Sequence, residues 1–317
     1  MSLCPSWQTT MARLLFLPVI ALCALAINGS LAVYGAQQQS QPRDITSEDF
    51  SQNRSSINPS SRPASPHARK RRYHLVSTQA AAKAPVGSSL EQVGITIWRL
   101  RASTAADGGP KIPVHEGGGT TWWTPERTQA GTLFKVGDRV RLSIESPRAG
   151  YLYVIDREQY SDGTLGDPLL IFPTLLARGG DNRVGAGVLV EIPAQEDNPP
   201  YFNLVPRRAD LVGDLLTVLV TPQPIEGITI TKKQFKLSID QMAQWEKMWG
   251  TQVELFEMEG GAGASWTKEE QRAGTITGRS LTQDEPTPQT IYRVRVKPGS
   301  PLLVTVPLGY GRINRPE

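Results

Sequence analysis

Residues 150–173 read GYLYVIDREQYSDGTLGDPLLIFP, two strongly apolar runs separated by a stretch that carries Asp156, Asp162 and Asp167. In an extended chain Tyr151 and Tyr153 share one face and Leu152 and Val154 the other, so both faces are large and mostly apolar, as in a central strand covered on both sides. An EF-hand calcium loop sets oxygen ligands at alternate positions and ends on Glu. Here the aspartates are six and five positions apart, and SDG followed by GDP supplies the permissive and rigid residues of a wide hairpin. Asp156, Asp162 and Asp167 are therefore expected to be solvated turn-formers at a strand end, with a metal site there as the alternative reading.

Similar runs recur outward from this stretch. VGITIWRLR (93–101), RVRLSIES (139–146), GVLVEIP (187–193), DLLTVLVT (214–221), GITIT (227–231), TIYRVRV (290–296) and PLLVTVPL (301–308) are separated by Gly, Pro, Asp and Asn. Short strands at this spacing predict an all-β fold, a sandwich or open barrel, rather than βαβ units. One helix is expected over SIDQMAQWEKMWG (238–250). Ser238 and Gln241 have capping-box spacing, Gly250 is a stop, and Met242, Trp245 and Trp249 recur at helical spacing. That stripe must cover something apolar, and the outer face of the sheet containing residues 150–156 is the expected place. TIWRLR (96–101) and TIYRVR (290–295) match in pattern, which predicts two similar half-exposed strands rather than a duplication.

The N-terminal third has another texture. Residues 11–27, MARLLFLPVIALCALAI, follow one Arg with a short apolar run interrupted by Pro18, the layout of a secretory leader. Residues 1–35 are expected to be a signal peptide, cut after Ala26, Ala32 or Gly35, or else an N-terminal anchor; translation starts at Met1 or Met11. Both cysteines, Cys4 and Cys23, fall in this leader, so the expected mature chain has no disulfide, thiolate catalyst or Cys-ligated zinc. Residues 36–90 are rich in Gln, Ser and Pro with few large apolar side chains, the composition of a disordered linker. The net charge of +4 resides there: residues 36–90 carry 8 Lys or Arg against 3 acids, whereas the chain from Glu91 onward carries 25 against 27. Its run Arg69, Lys70, Arg71 and Arg72 is either a contact for an anionic polymer or a solvated, self-repelling stretch. The folded part is near neutral, which argues against a nucleic-acid partner.

An ordered set of motifs resembles the bacterial domain of unknown function 4384. It runs FKVGDRVRLSIES (134–146), GYLYV (150–154), DG (162–163), LLIFP (169–173), NRVGAG (182–187), EIP (191–193), Tyr201 with Phe202, and DLLTVLVTPQP (214–224). Gly150, Tyr151, Tyr153, Gly163, Pro173, Asn182, Gly187 and Pro193 are its signature positions here. PRRADLVGD (206–214) departs from it, where a shorter glycine-plus-acid turn is expected. The resemblance covers residues 133–224 and implies a secreted or envelope β-domain used as an accessory part, with no assigned chemistry. A single β-domain over residues 91–311 is expected, with 225–311 a strand-helix-strand extension of the family-like core.

Candidate chemistry is sparse. His67 and His74 sit on the linker and His115 in KIPVHEGGG (111–119), which reads as a surface loop; no GxSxG turn accompanies it and no second His offers a metal pair. EGGAGA (259–264) lacks the Lys and Ser or Thr of a phosphate loop. Aromatic surface is the stronger binding candidate: Trp122, Trp123, Tyr160 and Trp266 are expected either to form a stacking platform for sugar rings or to pack the domain. Acids are expected in turns rather than strand centres, which places glycoside hydrolysis low. The sequence thus predicts an exported, envelope-associated interaction module without cofactor or recognisable catalytic site, its partner an envelope protein or a cell-wall or surface polymer. A polysaccharide binder and an uncharacterised hydrolase are the alternatives.

Overall fold

The computed structural model describes residues 45–52, 54, 71–79, 87–275, 279–283 and 285–311. Its first half contains β1 (Ile45–Thr46), α1 (Ser47–Ser51), β2 (Arg72–Gln79), β3 (Ser89–Ala102), β4 (Ile112–Glu116), β5 (Gly119–Arg127), β6 (Leu133–Phe134), β7 (Arg139–Glu145) and β8 (Gly150–Tyr160). There follow β9 (Leu169–Phe172), β10 (Arg183–Val184), β11 (Leu189–Ile192), β12 (Phe202–Asn203), β13 (Leu211–Thr221) and β14 (Phe235–Lys236). The chain ends through α2 (Ile239–Trp249), β15 (Val253–Met258), α3 (Lys268–Ala273), β16 (Thr290–Val296) and β17 (Leu302–Tyr310).

These strands form two sheets arranged as a sandwich. The first runs β1-β2-β15-β16-β3-β5-β4; β16 and β5 take successive stretches of one edge of β3, β7 takes the other, and β11 and β12 pair with β7. The second runs β14-β9-β8-β13-β17-β6, with β10 on β8. Alternation fills the space between them: Val93, Ile95, Leu142 and Ile144 of the first sheet meet Leu152, Val154, Val218 and Val304 of the second in one buried cluster. Because β17 pairs with β13 and β16 with β3, the strands expected to form an extension are woven into both sheets.

The stretch at 150–173 forms the expected hairpin. β8 pairs antiparallel with β9, and Asp162 Oδ1 accepts from Thr164 N at 2.9 Å in the turn. Gly150 lies so close to β13 that a Cβ there would stand 2.4 Å from the Thr221 carbonyl oxygen. Asn182 clasps Leu152 from both sides, donating through Nδ2 at 3.1 Å and accepting at its own carbonyl at 2.8 Å. Helix α2 covers the outer face of this sheet as its stripe requires: Met242 and Trp245 pack on Tyr153, Ile155, Leu219 and Leu303, and Ser238 Oγ caps the helix by accepting from Gln241 N at 3.0 Å. Two shorter helices, α1 and α3, have complete capping boxes, Thr46 with Asp49 and Thr267 with Glu270.

Several sequence readings change. GITIT does not form a strand: Gly227 turns with φ +78 between prolines and Lys232, and only Ile228 of the run reaches the α2 cluster. KIPVHEGGG is not a loose loop but the β4–β5 hairpin. The two TI-aromatic-R strands face opposite ways, Tyr292 and Val294 into the space between the sheets and Trp98 and Leu100 into a cluster on the other side of the first sheet. Of the segment read as a disordered linker, β1 and β2 pair into the first sheet and α1 packs on it, because Ile45, Phe50 and Tyr73 give them an apolar face to bury against Phe256, Met258 and Ile291, and Arg54 reaches Glu145. Ser89 and Leu90 of that segment open β3, while residues 36–44, 53, 55–70 (Arg69 and Lys70 among them) and 80–86 lie outside the described residues, as does the leader. Arg71 and Arg72 are exposed, Arg72 opening β2.

The outer face of the first sheet is the least expected part. Arg141, Ser143 and Glu145 alternate along β7 as a solvated face would, yet all are buried, with Trp266 over Arg141, Trp98 bonded to Ser143 and Arg54 on Glu145. Three ion pairs lie there: Arg54 with Glu145 at 2.5 Å, Arg141 with Glu191 at 2.7 Å, and Arg127 with Glu270. Gly94 leaves room for the covering chain, since a Cβ there would sit 2.5 Å from Pro288 Cγ and 2.7 Å from Phe50 Cζ. Gly94→Ala is expected to cost about 1–3 kcal/mol by urea unfolding, the usual range for overpacking. A cost under about 0.5 kcal/mol would mean that Phe50 and Pro288 give way freely.

Candidate functional site

On β8 the inward alternation does not stop at Val154. It continues through Asp156, Glu158 and Tyr160, because β8 runs to residue 160 rather than ending at Asp156. Opposite, β13 places Asp214 across from Glu158 and Leu216 across from Asp156; β17 adds Leu308 and Tyr310. Residues 201–207 close over this end of the sandwich. The result is a cavity of about 230 Å³ with an apolar wall, including Val140, Leu142, Ile171 and Leu216, and an acidic end made by Asp156, Glu158 and Asp214.

The acids are held differently. Glu158 is buried and accepts from Tyr160 Oη at 2.5 Å and from Arg207 N at 2.7 Å. Asp214 accepts from Tyr310 Oη at 2.7 Å. Asp156, whose side chain is 16 % exposed, has a buried Oδ1 with no hydrogen-bond partner. The nearest described cation, the half-exposed Arg207, stands 4.0 Å from Asp156 and 3.9 Å from Glu158, ion-pair distances too long for hydrogen bonds. Burial, then the neighbouring Asp214 charge, pushes Asp156 up to about 7. Burial raises Asp214 to about 6 against the opposing Tyr310 hydrogen bond. Tyr160 is pushed up to about 12, first by burial and then by its bond to Glu158.

Chemically the cavity offers a carboxyl that changes charge near neutrality beside two others. Its lining contains no Ser, Cys, His or Lys. Asp156 is therefore not a solvated turn-former, and acids are not confined to turns: Glu145, Glu158, Glu191, Asp214 and Glu257 are all buried in strands. A continuing i, i+2 pattern from Leu152 to Tyr160 was the available signal. Asp162 and Asp167 lie apart in the exposed turn, Asp162 with Thr164 and Arg208, Asp167 with Lys236 at 2.6 Å. Among the described residues no group of three or more His, Cys, Asp and Glu is placed to hold a metal ion.

The four aromatic candidates do not form one platform. Trp122 is 53 % exposed, beside an open groove lined by Ser103, Thr104 and Lys111. Trp123 is half-buried with the Arg139 guanidinium 4.3 Å from its ring centre. Trp266 is buried under Arg141 at 5.1 Å, and Tyr160 is buried with Arg208 at 3.9 Å. Arginines occupy the ring faces that a sugar would need. His115 is exposed at the end of β4, its Nδ1 3.0 Å from Thr120 Oγ1 across the hairpin, and His74 is exposed on β2.

Among the described residues no helix is long and apolar enough to cross a membrane. Comparison with known proteins finds no relative: no family model, curated protein or solved structure matches this chain. What the fold and its cavity define is a two-sheet β-sandwich with a carboxyl-lined pocket at one end.

Proposed function

We propose that the chain is an exported, envelope-associated accessory module that binds rather than transforms its partner, and that the carboxyl-lined pocket is where it binds. The pocket carries this reading: it is a formed cavity with an apolar wall and an acidic end, and Asp156, one of its lining residues, has a buried carboxylate oxygen without a hydrogen-bond partner. The leader-like residues 11–27 and the motif order resembling domain of unknown function 4384 support the setting and the accessory role. The exposed Trp122 groove supports the second reading, a polysaccharide or cell-wall binder, through one ring instead of four.

Envelope fractionation separates these readings. Wild-type chain is expected to sediment with the envelope, shortened by its leader, while the Asp156→Asn/Asp214→Asn variant is released and Trp122→Ala is retained. Release of Trp122→Ala with retention of the carboxyl variant would transfer the function to the aromatic groove. Peptidoglycan, neutral glycans and peptides incubated with the purified chain are expected to remain intact. Hydrolysis that disappears in Asp156→Asn with an unchanged circular dichroism spectrum would replace the binding role with acid–base chemistry.

A further inference from the structure

Arg54 ends the segment that precedes the undescribed stretch before β2, and its side chain is 1 % exposed. All five of its N–H donors are engaged. Nε and Nη2 grip Glu145 as a fork at 2.6 and 2.5 Å. Nη1 donates to the carbonyls of Thr282 and Glu285 at 3.0 and 3.1 Å, and Nη2 to that of Pro286 at 3.3 Å. The receiving surface contains only acceptors at this point: a carboxylate from β7 and three carbonyls from residues 282–286. Without a cation these oxygens would face one another in a buried space, and only a planar guanidinium matches all of them. The rest of the attachment is slight by comparison. β1 pairs two residues with β2, Ser47 N donates to Arg71 O at 3.2 Å, and Ile45 and Phe50 fill the apolar cluster beside Tyr73.

We propose that Glu145 and the carbonyls of Thr282, Glu285 and Pro286 form a guanidinium-binding cup, and that it docks residues 45–54 as a separable peptide strap anchored by Arg54. The sandwich without β1 then constitutes the receptor, and the chain's own N-terminal segment, which adds β1 to the edge at β2, is its ligand.

Native-state hydrogen exchange on the full-length chain tests the separability. Amides of Asp49 and Arg54 are expected to exchange through local opening at least roughly tenfold faster than those of Leu142 and Val154 in the central strands. Equal rates would make the strap part of the cooperative core and overturn the proposal. Limited proteolysis tests the chemistry. Arg54→Ala and Arg54→Lys are expected to be cut within residues 45–54, and methylguanidinium, below denaturing concentration, slows that cutting in Arg54→Ala whereas methylammonium does not. Absence of protection by methylguanidinium, or equal protection by both cations, would overturn the assignment of the cup. If Arg54→Ala does not fold, the wild-type exchange rates still decide whether the strap is separable.

Discussion

Arg141→Ala is expected to lose about 3–5 kcal/mol of stability in urea unfolding at pH 7, the range for removing one partner of a buried ion pair. Arg141 Nη2 donates to Glu191 Oε2 at 2.7 Å and to the Pro193 carbonyl at 3.0 Å, and its guanidinium lies 5.1 Å from the Trp266 ring centre. The substitution leaves Glu191, with a side chain only 2 % exposed, without its cation, so that folding must either keep an unpaired buried charge or take up a proton; its Oε1 is already unpartnered. Relaxation is blocked on the other side, since a Cβ on Gly274 would stand 2.2 Å from Glu191 Cδ. Burial already outweighs Arg141 and lifts Glu191 to about 7. Arg141→Met combined with Glu191→Gln removes both charges and is expected to recover more than half of the loss. A single-variant cost below about 1 kcal/mol would show that water reaches Glu191.

That ion-paired face also explains where sequence reading stopped. The run RVRLSIES reads as a strand, and β7 forms there with Val140, Leu142 and Ile144 turned inward. Its alternation sets Arg141, Ser143 and Glu145 on the opposite face, but polar alternation is the same whether that face meets water or a covering chain. Here the cover comes from Phe50, Arg54, Trp266 and Pro288, far from β7 along the sequence, and no local periodicity announces it. Helix α2 was legible because its stripe and caps are local, and the SDG turn because its chemistry is local. The pocket was half legible: Leu152 to Tyr160 keep one period, but acids at the end of an apolar strand resemble the start of a turn. Only the pairing of β8 with β13, which places Glu158 opposite Asp214, shows them to be interior.

The same pairing makes the pocket a source of pH dependence. Burial raises the folded-state pKa of Asp156 from the ordinary carboxylate range to about 7, and that of Asp214 to about 6. A carboxyl raised in the folded state favours folding while protonated. Its contribution is therefore fully present below about pH 4, where both states hold the proton, falls as pH rises through about 7, and is flat above. Asn mimics the protonated carboxyl and does not titrate. Asp156→Asn is accordingly expected to match wild type near pH 4 and to exceed it by roughly 4 kcal/mol at pH 8, the linkage value of a pKa near 7 that already contains the opposing effect of Arg207. Urea unfolding at the two pH values checks this; an advantage independent of pH, or a less stable variant at pH 8, would mean that Asp156 is ionised at no net cost in the fold. A buried residue whose neutral isostere gives a more stable protein near neutrality is not there for packing. Retaining Asp156 opposite Leu216 and beside Asp214, where an apolar side chain would continue the wall of the sandwich, sacrifices stability where a cavity opens, which is the pattern expected of a binding site.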